Sequence, residues 1–104
     1  MVEPGVVGYL IQEGVRRSVA AREAGWTDIP AEIVEPGQPD IPTRLPLAEL
    51  YSHKASIPRD YRYIRDVEYP TQVLGTEPPP IRVERLRDPK VVSRYTPLAL
   101  VALT

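Results

Sequence analysis

The chain has no cysteine, no phenylalanine and no asparagine, and only two lysines stand beside eleven arginines. Without cysteine there is no disulfide framework, no thiolate metal site and no thiol nucleophile. Absence of cysteine suits either redox compartment. Phe, Asn and Lys share A/T-rich codons, so their scarcity fits a GC-rich coding sequence of bacterial or phage type. Loop proline and the missing Asn and Cys fit thermal adaptation as well. No apolar run approaches the roughly 18 residues that a membrane span requires, and no basic leader of the secretory kind is visible. The net charge is −1, so neither a phosphate-binding surface nor an anionic-membrane surface is advertised.

What is present is proline: 13 among 104 residues. Each fixes φ and removes a backbone donor, and their spread implies many ordered turns. The hydrophobic share is 42% and the charged share 26%, which is ordinary for a globular chain. One domain over residues 1–104, with a modest core, is the expectation.

Residues 1–5 read as a lead-in. The longest proline-free stretch, 6–24, is the best candidate for one helix. Val7, Ile11, Val15 and Val19 fall at i+4 steps and make an apolar stripe. Gly14 sits on that stripe, where a glycine lets another backbone come close, and Gly25 is placed as the residue that ends the helix. Gly8 and Gly14 weaken a single helix. The competing reading is a strand over 6–11 followed by a helix over 15–24.

Residues 31–35 have strand character and end at the Pro36-Gly37 turn signal. Pro36, Pro39 and Pro42 recur every three residues, the period of polyproline II, so 36–46 reads as an extended connector. Residues 39–44 also match the loose spacing of an SH3 ligand, for which the connector is the simpler account. Residues 46–54 suggest a short helix. Residues 60–69 alternate, with Tyr61, Tyr63, Arg65, Val67 and Tyr69 on one side, and predict a strand with a Tyr-rich face. Residues 81–86 and 91–95 read as a hairpin about Asp88-Pro89-Lys90. The apolar run 98–103 predicts either a central strand or an arm lent to a neighbouring subunit. The predicted fold is therefore α+β: an N-terminal helix over 6–24 packed on a small antiparallel sheet drawn mainly from 60–103, with long Pro-rich extended connections.

No catalytic set emerges. His53 is the sole histidine, which leaves carboxylates as the other ligands of any metal and so disfavours zinc. Its neighbours Ser52 and Lys54 suggest an exposed residue at a helix end. Asp66 and Glu68 are interleaved with Arg62 and Arg65, which reads as a solvated ionic face, not a raised-pKa acid. There is no phosphate-cradling glycine loop. Tyr and Arg are enriched at protein interfaces, so Tyr61, Arg62, Tyr63, Arg65 and Tyr69, with Leu98, Leu100, Val101 and Leu103 of the terminal run, are the expected contact residues. The functional expectation is a non-enzymatic structural or adaptor subunit of a larger bacterial or phage assembly, such as a virion head, neck or tail. It needs no cofactor or metal, its partners are protein subunits in a homo- or hetero-oligomer, and it is cytoplasmic or in the virion. A small nucleic-acid-binding or regulatory module using 59–69 is the alternative, with bases stacked on Tyr and phosphates held by Arg. Against it, Asp60, Asp66 and Glu68 break up the positive charge.

Overall fold

The computed structural model describes residues 3–104; the first two residues of the lead-in lie outside the described residues. The chain is α+β, with a six-stranded mixed sheet, a separate two-stranded sheet and helices.

The stretch 6–24 is divided, as the competing reading has it. Strand β1 (Gly8–Glu13) is followed by helix α1 (Val15–Glu23), with Gly14 alone between them. The i+4 valines are real, but Tyr9, Leu10 and Ile11 are all buried, as in a strand covered on both faces, and the segment pairs with β4 and β6. Gly14 makes the break with φ 110° and ψ 24°, a region that L side chains rarely adopt. Just before it, Ile11 pairs with Val83 and Glu13 with Arg82, so Gln12 is an extra residue in the ladder. Such a bulge bends a strand at its end. Helix α1 buries Ser18, Val19, Ala20 and Ala21. It ends at Gly25 as expected: Gly25 N–H donates to Arg22 O at 3.0 Å and Trp26 N–H to Ala21 O at 2.9 Å, the paired bonds of a Schellman turn.

Strand β2 (Asp28–Ile33) buries Ile29, Ala31 and Ile33 in strict alternation. It forms a hairpin with β3 (Ile41–Pro46), paired from Asp28↔Pro46 to Ile33↔Ile41. The Pro-rich stretch 36–46 is thus a hairpin loop and a strand, not a free connector. Its prolines are accepted because β3 is the edge of the sheet, where outward N–H groups have no strand partner to lose. The helix expected over 46–54 shrinks to one 3₁₀ turn, Leu47–Glu49, before β4 (Leu50–Ser52) runs parallel to β1. Strand β5 (Ser56–Ile57) follows.

Residues 60–69 are not a strand. Helix α2 (Tyr61–Tyr63) continues into a wide π-helix, Ile64–Val73. Asp60 supplies the cap, its Oδ1 accepting from Tyr63 N–H at 2.9 Å. Tyr63 and Thr71 are buried and Val67 packs against the core, a four-residue spacing that the Tyr alternation masks. Pro70 lies inside this helix. The ring of a proline clashes with the carbonyl four residues back in an α-helix, and the wider turn relieves that contact. Leu74 N–H accordingly donates to Tyr69 O, five residues earlier, at 3.3 Å.

Strand β6 (Ile81–Leu86) is central, not one arm of a hairpin. It lies between β2, to which it is parallel, and β1, to which it is antiparallel. Its expected partner, 91–95, is instead a short helix α3 (Pro89–Val92) and a turn. Asp88 caps that helix and Pro89 opens it. Strand β7 (Thr96–Pro97) pairs with β4. The final apolar run is not one strand either. Leu98–Leu100 is a 3₁₀ turn and only Ala102–Leu103 (β8) is extended, parallel to β5. Leu98 and Val101 are buried while Leu100 is exposed; burial at i and i+3 is the period of a 3₁₀ turn. The extended end of the run pairs with β5 of the same chain.

The core lies between the sheet and the two longer helices. A row of Ile33, Val83 and Ile11 crosses β2, β6 and β1 in register, and Ile41 of the edge strand β3 continues it into solvent. Tyr63 closes the core from the π-helix side. Its hydroxyl is buried and has no hydrogen-bond partner among the described residues. Burial, with Glu68 and Glu23 nearby, pushes its pKa up to about 12. Unfolded, the phenol ionises near 10. Stability present below pH ~10 is therefore lost as the pH rises from about 10 to about 12. Tyr63→Phe removes a hydroxyl whose desolvation is uncompensated and is expected to stabilise the fold by ~1 kcal/mol at neutral pH. It should also lessen the alkaline loss; urea unfolding at pH 7 and pH 11 measures both effects. A destabilised variant at pH 7 would mean that the hydroxyl has a partner.

Candidate functional site

The π-helix that hides Tyr63 turns its opposite side to solvent. Tyr61, Ile64, Tyr69, Val73 and Leu74 are all exposed. None of them falls on the buried positions Tyr63, Val67 and Thr71, and together they make up the exposed apolar ridge of this helix. Ordinary surface helices place polar groups there. The ridge is stiffened at its start by Arg65, whose guanidinium lies 5.6 Å from the centre of the Tyr61 ring. Arg65 also donates to Asp66 through Nε at 2.7 Å and Nη2 at 3.1 Å. That contact holds the Asp66 carboxyl below its usual range and raises Arg65. Arg59 clamps Glu68, with its Nε donating at 2.9 Å.

The residues expected at an interface are thereby sorted. Tyr61, Arg62, Arg65 and Tyr69 are exposed on the helix. Tyr63 is core and offers no surface. Leu98 and Val101 are likewise core; Leu103 packs against it, and of these four residues Leu100 is the exposed one. A strand over 60–69 puts Ile64 on the face opposite the tyrosines and leaves Val73 and Leu74 outside the segment, so all three join Tyr61 and Tyr69 only in the helix. The four-residue spacing of Tyr63, Val67 and Thr71 was the available signal. Tyr63 is buried and so shares no exposed face with Tyr61 and Tyr69, and Arg59 and Arg65 are engaged by carboxylates.

His53 is exposed and meets Tyr95 edge-on, with ring centres 5.3 Å apart and planes at 85°. Ser52 is buried, and its Oγ accepts from Lys54 N–H at 2.9 Å, so it does not serve His53. Among the described residues no three His, Asp or Glu side chains converge to hold a metal ion, and no helix is long and apolar enough to cross a membrane.

A second feature lies at the junction of β1 and α1. A cleft of about 400 Å³ opens there, with Arg16, Arg17, His53 and Lys54 around an apolar floor. These basic residues come from two segments that the parallel pairing of β1 with β4 brings side by side.

No protein-family model matches the chain, and neither a curated protein nor a solved structure shows detectable similarity to it.

Proposed function

We propose that the protein is a non-enzymatic structural or adaptor subunit of a larger assembly, of the virion head, neck or tail kind, held to neighbouring protein subunits through the solvent face of the 61–74 helix. The observation that carries this reading is the ridge of Tyr61, Ile64, Tyr69, Val73 and Leu74, five large apolar side chains exposed along one element. Isolated apolar residues on a surface are ordinary, whereas contiguous ones mark contact sites. The Tyr and Arg content of the ridge is that of interface cores, and Tyr61 stacked with Arg65 loses little side-chain freedom on being covered.

Light scattering after size-exclusion tests this. The wild-type chain is expected to associate, and Ile64→Glu with Val73→Glu to return it to monomer with an unchanged circular dichroism spectrum. Both substituted side chains are already in solvent, so the fold should lose less than about 0.5 kcal/mol. A wild-type chain that stays a stable monomer at high concentration counts heavily against the reading. Association that survives the double substitution would place the contact elsewhere.

A further inference from the structure

Most arginines of this chain are neutralised by carboxylates. Arg44 pairs with Asp28 and Glu77, Arg82 with Asp40, and Arg85 with Glu3 and Glu35. The cleft between β1 and α1 breaks that pattern. Among the described residues Arg16, His53 and Lys54 have no ion pair, and Arg17 donates only to the Pro80 carbonyl, at 3.3 Å. No carboxylate lines the cleft. The acids on its flanks lie outside the cleft: Glu13 lines a neighbouring hollow with Gln12 and Glu84, and Asp66 and Glu77 line the adjoining groove beside Arg17 and Val67 and are already bound by Arg65 and Arg44. Two segments far apart in sequence thus bring unneutralised positive charge to one concavity. Like charges held together repel, and an anionic ligand between them removes that cost.

The rest of the lining narrows the ligand. Ile11, Val15, Ile57 and Val67 make the floor, and Gln12 is the one uncharged polar side chain at the rim. Val15 and Val67 are the partly exposed side chains of that floor, and Ile11 and Ile57 lie almost wholly buried beneath them, fixed by their strands. An apolar floor inside a cationic rim suits a molecule with a flat apolar body and an anionic group at one end, better than a bare ion. The volume lies in the range of small-ligand sites. Arg side chains hold phosphate through paired donors and Lys as a point charge. The opening turn of α1 also lines the cleft, and Gly14 provides no side chain to cap its N–H groups.

We propose that this cleft binds a phosphate-bearing ligand of mononucleotide size, with the phosphates between Arg16, Arg17 and Lys54 and the apolar body on Ile11, Val15, Ile57 and Val67. The site is separate from the helix ridge and does not depend on the assembly reading.

Isothermal titration of the full chain at low salt, with ADP, pyrophosphate and adenosine as probes, tests it. ADP should bind, pyrophosphate should bind at least about tenfold more weakly, and adenosine should not bind measurably. Arg16→Ala with Lys54→Ala should weaken ADP by at least about tenfold. Arg94→Ala with Lys90→Ala, which removes the same charge elsewhere, should leave it unchanged. Circular dichroism of both variants confirms that the fold is retained. Three results would overturn the proposal: no ADP binding at millimolar concentration, equal affinity for ADP and pyrophosphate, or equal losses in the two double variants. The last would mean that general positive charge, not this cleft, attracts the probe.

Discussion

Replacing Gly14 with alanine should cost the fold about 3–4 kcal/mol, a large share of the 5–15 kcal/mol that a domain of this size possesses. Two separate effects combine. The backbone at Gly14 has φ 110°, a conformation that costs a non-glycine residue about 1–3 kcal/mol. A Cβ there would also stand 2.5 Å from Ile81 Cγ2 and 2.9 Å from Ile81 Cβ. Ile81 is fully buried in the central strand β6, so it has no empty volume to move into, and overpacking of this kind costs about 1–3 kcal/mol. Gly25→Ala separates the two effects. Its φ is 84° and nothing lies within 4 Å of the added carbon, so only the conformational cost applies. Thermal unfolding should show a much larger fall in Tm for Gly14→Ala, with roughly 4–8 °C lost per kcal/mol. Equal falls would show that the approach of α1 to β6 is not the constraint.

The second large effect concerns Arg22→Met. Arg22 Nη1 donates to Leu98 O and to Val101 O, both at 2.7 Å, across 76 and 79 residues of sequence. Those carbonyls belong to the 3₁₀ turn that seats Leu98 and Val101 in the core. Methionine keeps the packing of the stem but leaves both acceptors without their charged donor. Hydrogen bonds to a charged group contribute about 1.5–3 kcal/mol each, and water can replace part of this because the site is only partly enclosed. A loss of about 2–3 kcal/mol follows. It should be local first. The β8 amides of Ala102 and Thr104, which donate to Ala55 and Ile57, and the Arg59 amide, which donates to Thr104, should lose hydrogen-exchange protection ahead of β1 and β6. Unchanged protection at those three amides would mean that apolar burial alone holds the terminus.

These two residues bear on how far the fold is legible in the sequence. Gly14 is conspicuous there, a glycine on an apolar stripe that suggests the approach of another backbone; what comes close is chiefly the Ile81 side chain, with its Cα behind it, and Gly14 stands at the break between strand and helix. Arg22 carries no signal, because its partners are backbone carbonyls near the other end of the chain. The surface ridge was half legible. Tyr61, Arg65 and Tyr69 stand out by residue type, but Ile64, Val73 and Leu74 join them only once the segment is helical. For the cleft, the sequence shows four basic residues in two pairs and nothing that joins them.

Local chemistry determined several elements by itself. Gly25 ends α1 because a left-handed position there favours glycine. Strand β2 alternates because one of its faces is buried. The absence of cysteine leaves noncovalent burial to hold this chain together. Tertiary structure alone decided the rest. Residues 61–73 carry both a two-residue Tyr alternation and a four-residue apolar spacing, and packing against α1 selects the helix. The run 98–103 is apolar at nearly every position, so any period fits it; the seats for Leu98 and Val101 and the reach of Arg22 make it a turn. Strand β6 alternates equally well at an edge or at a centre, and it is central because β1 and β2 both bury apolar side chains against it. Where a segment satisfies two periods, its own residues cannot choose between them, and the contacts made at long range supply the difference in free energy.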